Sequence, residues 1–410
     1  MRSLILISAL MAMQASPAFA QSKASVERQF QTWLQKDLWP EAKRNGVSKS
    51  NFNKAFKNVT LNWKLPDLVP PGSKPKVSRP QAQSEFRSPA RYFSPNNMNA
   101  VVAGGRKLAK RHGSLLSRIE KRYGVPGRIL LAIWGRESAY GNASIPYNSF
   151  RVLGTKAFMS TRKDLFRAEV IAALQIIQKG YATSGQMKAS WAGAMGQPQF
   201  LPSSYLKYAV DFDGDGKRNI WTSVPDTLAS IANYLKQYGW ESGRDWGFEA
   251  KIPGTVSCAL EGPDQMRNIS EWVKSGVTRI SGKPFPANEL RKKGAILLPA
   301  GRLGPVFVAT SNFYTIKKYN NSDLYALFVG NVADRIQFSN KPFVAPWQPV
   351  TGLKRGNVMN IQRTLIDQGY DVGGADGLAG FKTRRSIGDW QQKNGLNPTC
   401  FPSSELAKRF

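Results

Sequence analysis

The chain is 410 residues long and 41% hydrophobic, and its 58 lysines and arginines against 27 acids give a formal net charge of +31. That length and apolar content suit two or three globular domains. A single histidine, His112, argues against a Ser-His-Asp triad or a multi-histidine zinc site.

The opening MRSLILISALMAMQASPAFA pairs Arg2 with an apolar centre and small residues at Ala18 and Ala20, which predicts a signal peptide over residues 1–20 cleaved before Gln21. No cysteine lies in it to accept a lipid, so the expectation is a periplasmic protein that does not span the membrane. Export removes nucleic acid as a partner for the basic charge and leaves the anionic cell envelope. Cys258 and Cys400, the only cysteines, can pair in an oxidising compartment, and the sequence leaves that pairing open.

Helical spacing runs from Val26 to Phe56, and prolines between Pro66 and Pro89 then predict an extended strap. Helices resume over Asn97 to Arg122, with His112 expected at a solvated helix position, and again over Phe166 to Lys179 and Val224 to Tyr238. Between them, ILLAIWGRESAYGN from Ile129 to Asn142 places Glu137 at the end of an apolar helix, on one face with Ile133 and Trp134. Such a residue either caps the helix at the water boundary or is held there for chemistry. Apolar walls and the negative end of the helix dipole both disfavour its ionised form, so its pKa should rise and suit it to donate a proton.

In SWAGAMGQPQFLPSSY, from Ser190 to Tyr205, small residues let a ligand approach the backbone, Gln199 can donate and accept, and Phe200 offers a ring to a sugar; a tight helix-to-helix turn is the alternative. DFDGDGKRNIWTSVPD, from Asp211 to Asp226, sets carboxylates at loop positions one, three and five and glycine at six, as a calcium loop does. Position twelve is Thr222, so a bidentate ligand would have to come from Asp226, and Lys217 can offer only its carbonyl. The alternative is a metal-free Asx turn. Short apolar pieces between Ile252 and Phe313 predict a small β region. In SNFYTIKKYNNSDLY, Tyr319, Asn320 and Tyr325 either line a polar cleft or belong to the core. Pro342, Pro346 and Pro349 then mark a linker to a small appended module.

The Glu-Ser-x-Tyr-Gly end of the Glu137 helix, the Ala-Gly-Ala-Met-Gly-x-x-Gln-Phe-x-Pro-Ser-Ser-Tyr segment, the Val-Asp-Phe-Asp-Gly-Asp-Gly loop, Asn233-Tyr234 with Gly239-Trp240, and Asn312-Phe313-Tyr314 with Tyr319-Asn320 come in one order. Over about residues 25 to 340 the chain thereby resembles lytic murein transglycosylases of the membrane-bound B type. The resemblance implies a mainly α (α+β) chain with a lysozyme-like core and extra α and small β subdomains, over residues 21–345. It implies cleavage of the β-1,4 bond between N-acetylmuramic acid and N-acetylglucosamine to leave 1,6-anhydromuramic ends on peptidoglycan glycan strands. Glu137 would serve first as acid and then as base, with Ser190, Gln199, Phe200, Tyr319, Asn320 and Tyr325 in the cleft. Asp211, Asp213, Asp215, Lys217 and Asp226 would hold a structural Ca2+, and no organic cofactor is expected. A two-carboxylate hydrolase needs a second acid about 5 to 9.5 Å away, and the sequence offers no obvious one. A hydrolytic muramidase of this fold and a non-catalytic wall-binding protein are the alternative functions.

The tail resembles a three-helix peptidoglycan-binding domain over residues 350–410, through Ile361-Gln362-x-x-Leu365, Gly369-Tyr370, Asp376-Gly377-x-x-Gly380-x-x-Thr383 and Trp390-Gln391. Trp390 stands where that family often has Phe, and Arg385 where a small residue is usual. The expected assembly state is a monomer.

Overall fold

The computed structural model describes residues 22–75, 89–350 and 353–410. The expected signal peptide and the 76–88 part of the strap lie outside the described residues, and among those described no helix is long and apolar enough to cross a membrane.

The expected helices form. Lys23–Trp33 runs through a π-helical turn, Leu34–Leu38, into Trp39–Arg44, and Lys49–Phe56 follows. Their apolar stripe of Phe30, Leu34, Leu38, Phe52 and Phe56 is buried in one core with the Ser149–Met159 and Lys163–Gln178 helices. The described part of the strap is turns, tied to the core where Leu68 bridges Ser160 and the Val69 amide donates to Met159 at 2.6 Å. His112 ends the Pro95–Arg111 helix and precedes Gly113–Tyr123, so it sits partly buried at a junction and not along a solvated face.

Gly127–Ser138 is the central element. Its residues Ile129 to Ile133 are each at most 1% exposed, because four helices surround it: Pro95–Arg111, Gly113–Tyr123, Val224–Gln237 and Asp323–Gln337. Burying each isoleucine or leucine among them contributes roughly 1.5–3 kcal/mol. The helix therefore has no freedom to shift relative to its neighbours.

A second core belongs to an antiparallel five-stranded sheet in the order Arg267–Asn268, Lys293–Leu297, Val306–Ala309, Gly247–Lys251, Thr278–Arg279. Register is set by pairs such as Ile296 with Val308 and Phe248 with Val308. A third core holds Ile361, Leu365, Ile387, Trp390 and Leu406 from the helices Arg355–Asp367, Phe381–Lys393 and Ser404–Ala407. Trp390 fills that core against Phe410, with ring centroids 4.6 Å apart. The substituted aromatic is thus accommodated by the last residue of the chain.

The appended module is fastened to the β region. Cys258 and Cys400 are joined by a disulfide, with Cα atoms 6.4 Å apart, which closes the pairing that the sequence left open. The Phe381–Lys393 helix crosses this bond at Gly388, where an added Cβ would lie 2.3 Å from the Cys258 sulfur. Arg385 donates to both carboxylate oxygens of Asp264 at 2.7 and 2.8 Å and to the Glu261 carbonyl at 3.2 Å. This large cation, where a small residue is usual, is therefore a docking contact.

A bond spanning 142 residues removes much chain entropy from the undocked state. Replacing both cysteines by serine should cost about 2–5 kcal/mol. Chemical denaturation of the variant beside wild type measures it, and equal midpoints would mean that the disulfide adds nothing to docking.

Candidate active site

Glu137 occupies the penultimate position of its helix, which stops because Ala139 and Tyr140 both adopt left-handed backbone, at φ 48° and 61°. Non-glycine residues rarely hold this conformation, and here packing enforces it. The Tyr140 ring sits edge-on to Trp134 at 5.4 Å, and its hydroxyl donates to the Val101 carbonyl at 2.5 Å. Gly135 leaves room for that ring, since a Cβ there would come within 2.6 Å of it. The terminus that presents Glu137 is thereby fixed from behind.

Glu137 itself is partly exposed, with its carboxyl in a crowded, water-poor setting. Burial pushes its pKa up, opposed by the Tyr325 hydroxyl, which donates to Oε1 at 2.5 Å, and more weakly by the Arg136 charge. Arg136 does not pair with the carboxylate. Its guanidinium lies over Tyr92 and Phe328, at 4.9 and 5.1 Å from the ring centres, and donates to the Tyr92 hydroxyl at 2.9 Å. Tyr319 and Tyr325 are held far above the ordinary phenol range by burial and by Glu137 nearby, so both stay neutral donors. Among the described residues, no second carboxylate figures among the groups that shift Glu137, Tyr319 or Tyr325.

The small-residue segment forms a pinned loop facing this acid. The Ser190 amide donates to the Ala194 carbonyl at 2.8 Å and the Gly193 amide to the Ser190 carbonyl at 2.9 Å. Met195 and Phe200 exchange backbone bonds at 2.7 and 3.0 Å, closing a tight turn in which Gly196 and Gln199 are left-handed. Gln199 spends its amide nitrogen on the Gly196 carbonyl at 2.9 Å, and Tyr319 donates to the Pro198 carbonyl at 2.5 Å.

Phe200 departs from the expectation of an open sugar platform. It is 3% exposed, with Tyr208, Tyr234 and Tyr319 around it at 5.6 to 6.5 Å between ring centres. Phe200 supports Tyr319 from beneath. Tyr325 is likewise buried and reaches the site through its hydroxyl alone, whereas Asn320 is exposed at the end of the Ser311–Tyr319 helix. Tyr319, Tyr325, Phe200 and the Gln199 turn thus meet around Glu137; no contact joins Ser190 to the acid directly, and it stands at the entrance to the turn.

Gln197 was not singled out by sequence reasoning, and it connects these parts. Its Oε1 accepts from the Trp134 indole at 2.7 Å, its Nε2 donates to the Trp221 carbonyl at 2.9 Å, and its amide donates to Ile220 at 2.8 Å. The available signal was Trp134: a buried indole N–H requires an acceptor. Tyr234, which sequence reasoning placed in an ordered motif without a site role, donates to the Lys318 carbonyl at 2.5 Å while packing on Phe200 and Tyr319.

Through Gln197 the acidic loop adjoins the site. Ligand oxygens of Asp211, Asp213, Asp215 and Asp226 all lie within 4.8 Å of one another. Asp226 is fully buried and accepts from the Phe212 and Asn219 amides at 2.8 and 2.7 Å, one on each oxygen, while burial and the Asp213 charge raise its pKa. Asp211 takes the Gly214 and Gly216 amides at 2.7 and 2.9 Å. Between position twelve and Asp226 stands Ser223, whose hydroxyl donates to Asp213 at 2.7 Å and which caps the next helix at the Asp226 amide. Four hard oxygen donors gathered at one point fit a divalent cation, and the Lys217 amide, bonded to Asp215 at 2.8 Å, places that residue's backbone on the loop.

Comparison with known proteins places this geometry. Residues 29–334 match the Transglycosylase SLT domain family and residues 354–408 a peptidoglycan binding domain. Membrane-bound lytic murein transglycosylase B of Escherichia coli is 31% identical over 248 residues, 60% of this chain; the chain spans 65% of that relative's length. The crystal structure of SltB3 from Pseudomonas aeruginosa in complex with NAG-anhNAM-pentapeptide superposes with a TM-score of 0.79 at 35% identity, over 93% of this chain and 98% of that one. The structure of Escherichia coli Slt35 in complex with calcium is similar at a TM-score of 0.53 and 28% identity, over 63% and 81%. The lysozyme-like, mainly helical core with its small sheet, the terminal helical module and the ordered motifs agree with these matches, and the chain belongs to the SLT-domain family of peptidoglycan lytic transglycosylases.

Proposed function

We propose that this chain is an exported lytic murein transglycosylase that cleaves the β-1,4 bond between N-acetylmuramic acid and N-acetylglucosamine without water. One observation carries this reading: a single carboxyl with raised pKa, held by the neutral Tyr325 hydroxyl and not by a second acid. Protonated Glu137 donates to the glycosidic oxygen as the C1–O bond breaks. The resulting carboxylate takes the proton from the C6 hydroxyl as its oxygen bonds to C1. The acid is regenerated and the product ends in a 1,6-anhydro ring. The relatives support the choice, since one is called a lytic murein transglycosylase and another was solved with an anhydro sugar product.

Tyr325 suits both halves of the cycle. A hydroxyl donor stabilises the carboxylate formed in the first step, and its neutrality leaves the proton available at the outset. Tyr319, also neutral, and the Gln199 turn offer polar groups to the sugar. The periplasm, where murein lies, agrees with the signal-like segment at residues 1–20.

Glu137→Gln should leave sacculus solubilisation at background. Folding should survive: a carboxyl with a raised folded pKa contributes stability below its unfolded pKa that is lost as pH rises through the folded value, and glutamine suffers no such loss. Turbidity loss of sacculi with the variant beside wild type tests the first point, thermal midpoints compared from acid to alkaline pH test the second, and mass spectrometry of the wild-type digest tests the anhydro product. Muropeptides ending in reducing sugars would replace this reading with a muramidase; solubilisation by Glu137→Gln would end the catalytic role.

The same acid sets a pH limb. Activity should fall as pH rises through the raised Glu137 pKa, and Tyr325→Phe, by removing a bond that favours the carboxylate, should move that alkaline limb upward while lowering the rate. A limb that stays in place would mean that Tyr325 does not control the proton.

The acidic loop is proposed to hold a structural Ca2+ through Asp211, Asp213, Asp215, Asp226 and the Lys217 carbonyl, as the calcium complex of the Slt35 relative suggests. The ion would neutralise carboxylates that otherwise repel. The melting temperature should be higher in calcium than in chelator, and an identical midpoint at saturating calcium would count against the site.

A further inference from the structure

We propose that Arg384, in the C-terminal module, is a positioning residue for the catalytic cleft, because it grips the Asp323 carboxylate, which lies within the segment carrying Tyr319, Asn320 and Tyr325. The proposal rests on the glycan-cleaving reading above. It makes the module part of the catalytic unit in addition to a wall-binding appendage.

Arg384 projects from the Phe381–Lys393 helix and its side chain is 4% exposed. Its Nη2 donates to Glu261 of the β region at 2.6 Å and to Asp323 at 3.0 Å, its Nε donates to both Glu261 oxygens at 3.2 and 3.0 Å, and its Nη1 donates to Ala379 at 2.7 Å. Glu261 is fully buried and also accepts from the Leu298 amide at 2.8 Å. The anchor is therefore rigid, and it lies three residues from the disulfide at Cys258. Only a guanidinium presents donors in a fork able to satisfy two separate carboxylates at once.

Asp323 is the first residue of the Asp323–Gln337 helix, two before Tyr325. Its other oxygen takes Lys317 at 2.6 Å, across the short loop that begins at Asn320. Lys317 lies in the last turn of the Ser311–Tyr319 helix, so each member of this pair also sits at the helix end that its charge favours. The ion pair staples the two helix ends that deliver Tyr319 to the Pro198 carbonyl and Tyr325 to Glu137. Arg384 holds that staple from the module side. A cavity of about 650 Å³ opens beside it, with Lys317, Asn320 and Asp323 on one wall and Gly373, Lys382 and Arg384 on the other.

Two buried cations meet two buried anions here, so deleting Arg384 alone leaves Glu261 unpaired and endangers the fold. The test therefore uses Arg384→Met combined with Glu261→Met, which swaps the pair for apolar side chains, leaves Lys317 on Asp323 and keeps the disulfide. Arg384→Met alone accompanies it, and Arg385→Ala, which removes the neighbouring bonds to Asp264 and to the Glu261 carbonyl but leaves Glu261 and Asp323 on Arg384, is the control. The substrate is a soluble N-acetylglucosamine–N-acetylmuramic acid tetrasaccharide, on which wall anchoring has no effect.

The expected result for the double variant is a kcat lowered about tenfold or more with KM little changed, and an alkaline limb displaced upward as in Tyr325→Phe; Arg385→Ala keeps wild-type values. A double variant with wild-type kcat and an unmoved limb, even if its melting temperature falls, overturns the positioning role. Inactive wild type on the same tetrasaccharide overturns the cleavage reading itself, and the positioning role with it.

Discussion

The site depends on one constraint: Glu137 must be kept away from water without being given a permanent counter-ion. The Gly127–Ser138 and Asp323–Gln337 helices pack so that the start of one meets the end of the other, and polar contacts clamp both ends of the pair. At one end Arg128 binds Asp334 and lies 3.0 Å from Asp245, so a permanent cation is shared by two carboxylates there. At the other end Glu137 receives only a phenol, and the nearest guanidinium, on Arg136, is drawn off onto Tyr92 and Phe328. The first end fixes register. The second leaves a proton affinity that chemistry can use, because burial is opposed but not cancelled.

Local signals made much of this legible in the sequence. The apolar stripe ending in Glu137, the glycine-rich turn and the one-three-five spacing of Asp211, Asp213 and Asp215 are each set by neighbours in the chain, so spacing alone locates them. What escaped were contacts between distant segments. Gln197 joins residues 63 and 24 positions away in sequence, and no periodicity marks such a role. Phe200 illustrates the converse, for an aromatic in a turn reads as an open face until Tyr208, Tyr234 and Tyr319 are seen to cover it. Tyr140 also hid its part, since a left-handed tyrosine is allowed only where Gly135 and its neighbours give the ring a slot.

The acidic residues are few, and some of them lie inside. Against 58 basic side chains the chain has 27 acids, yet Glu261, Asp226 and Glu289 are almost wholly buried. Each satisfies a specific need: Glu261 the module, Asp226 the backbone of the loop, Glu289 the Arg244 guanidinium at 3.0 Å. The excess of lysine and arginine over acids makes the outer shell positive. A positive exterior and an interior acid are consistent with one partner, an anionic polymer that must be attracted over distance and cut at one point.

The acidic loop and the catalytic helix meet through the backbone between Asn219 and Trp221. Asp226 holds the Asn219 amide, and the next two carbonyls accept from the backbone and side-chain nitrogens of Gln197, whose side-chain oxygen accepts from the Trp134 indole one turn before Glu137. Asp226 therefore has two tasks that conflict when the loop carries no cation. It must stay ionised to accept three amides, yet it is buried beside the Asp213 charge. A divalent ion would resolve that conflict by paying for the ionised form, and its influence would pass to the floor of the cleft through Gln197. The backbone between Asn219 and Trp221 thus ties the acidic loop to the Trp134 indole through Gln197, and the loop and the catalytic helix share one set of bonds.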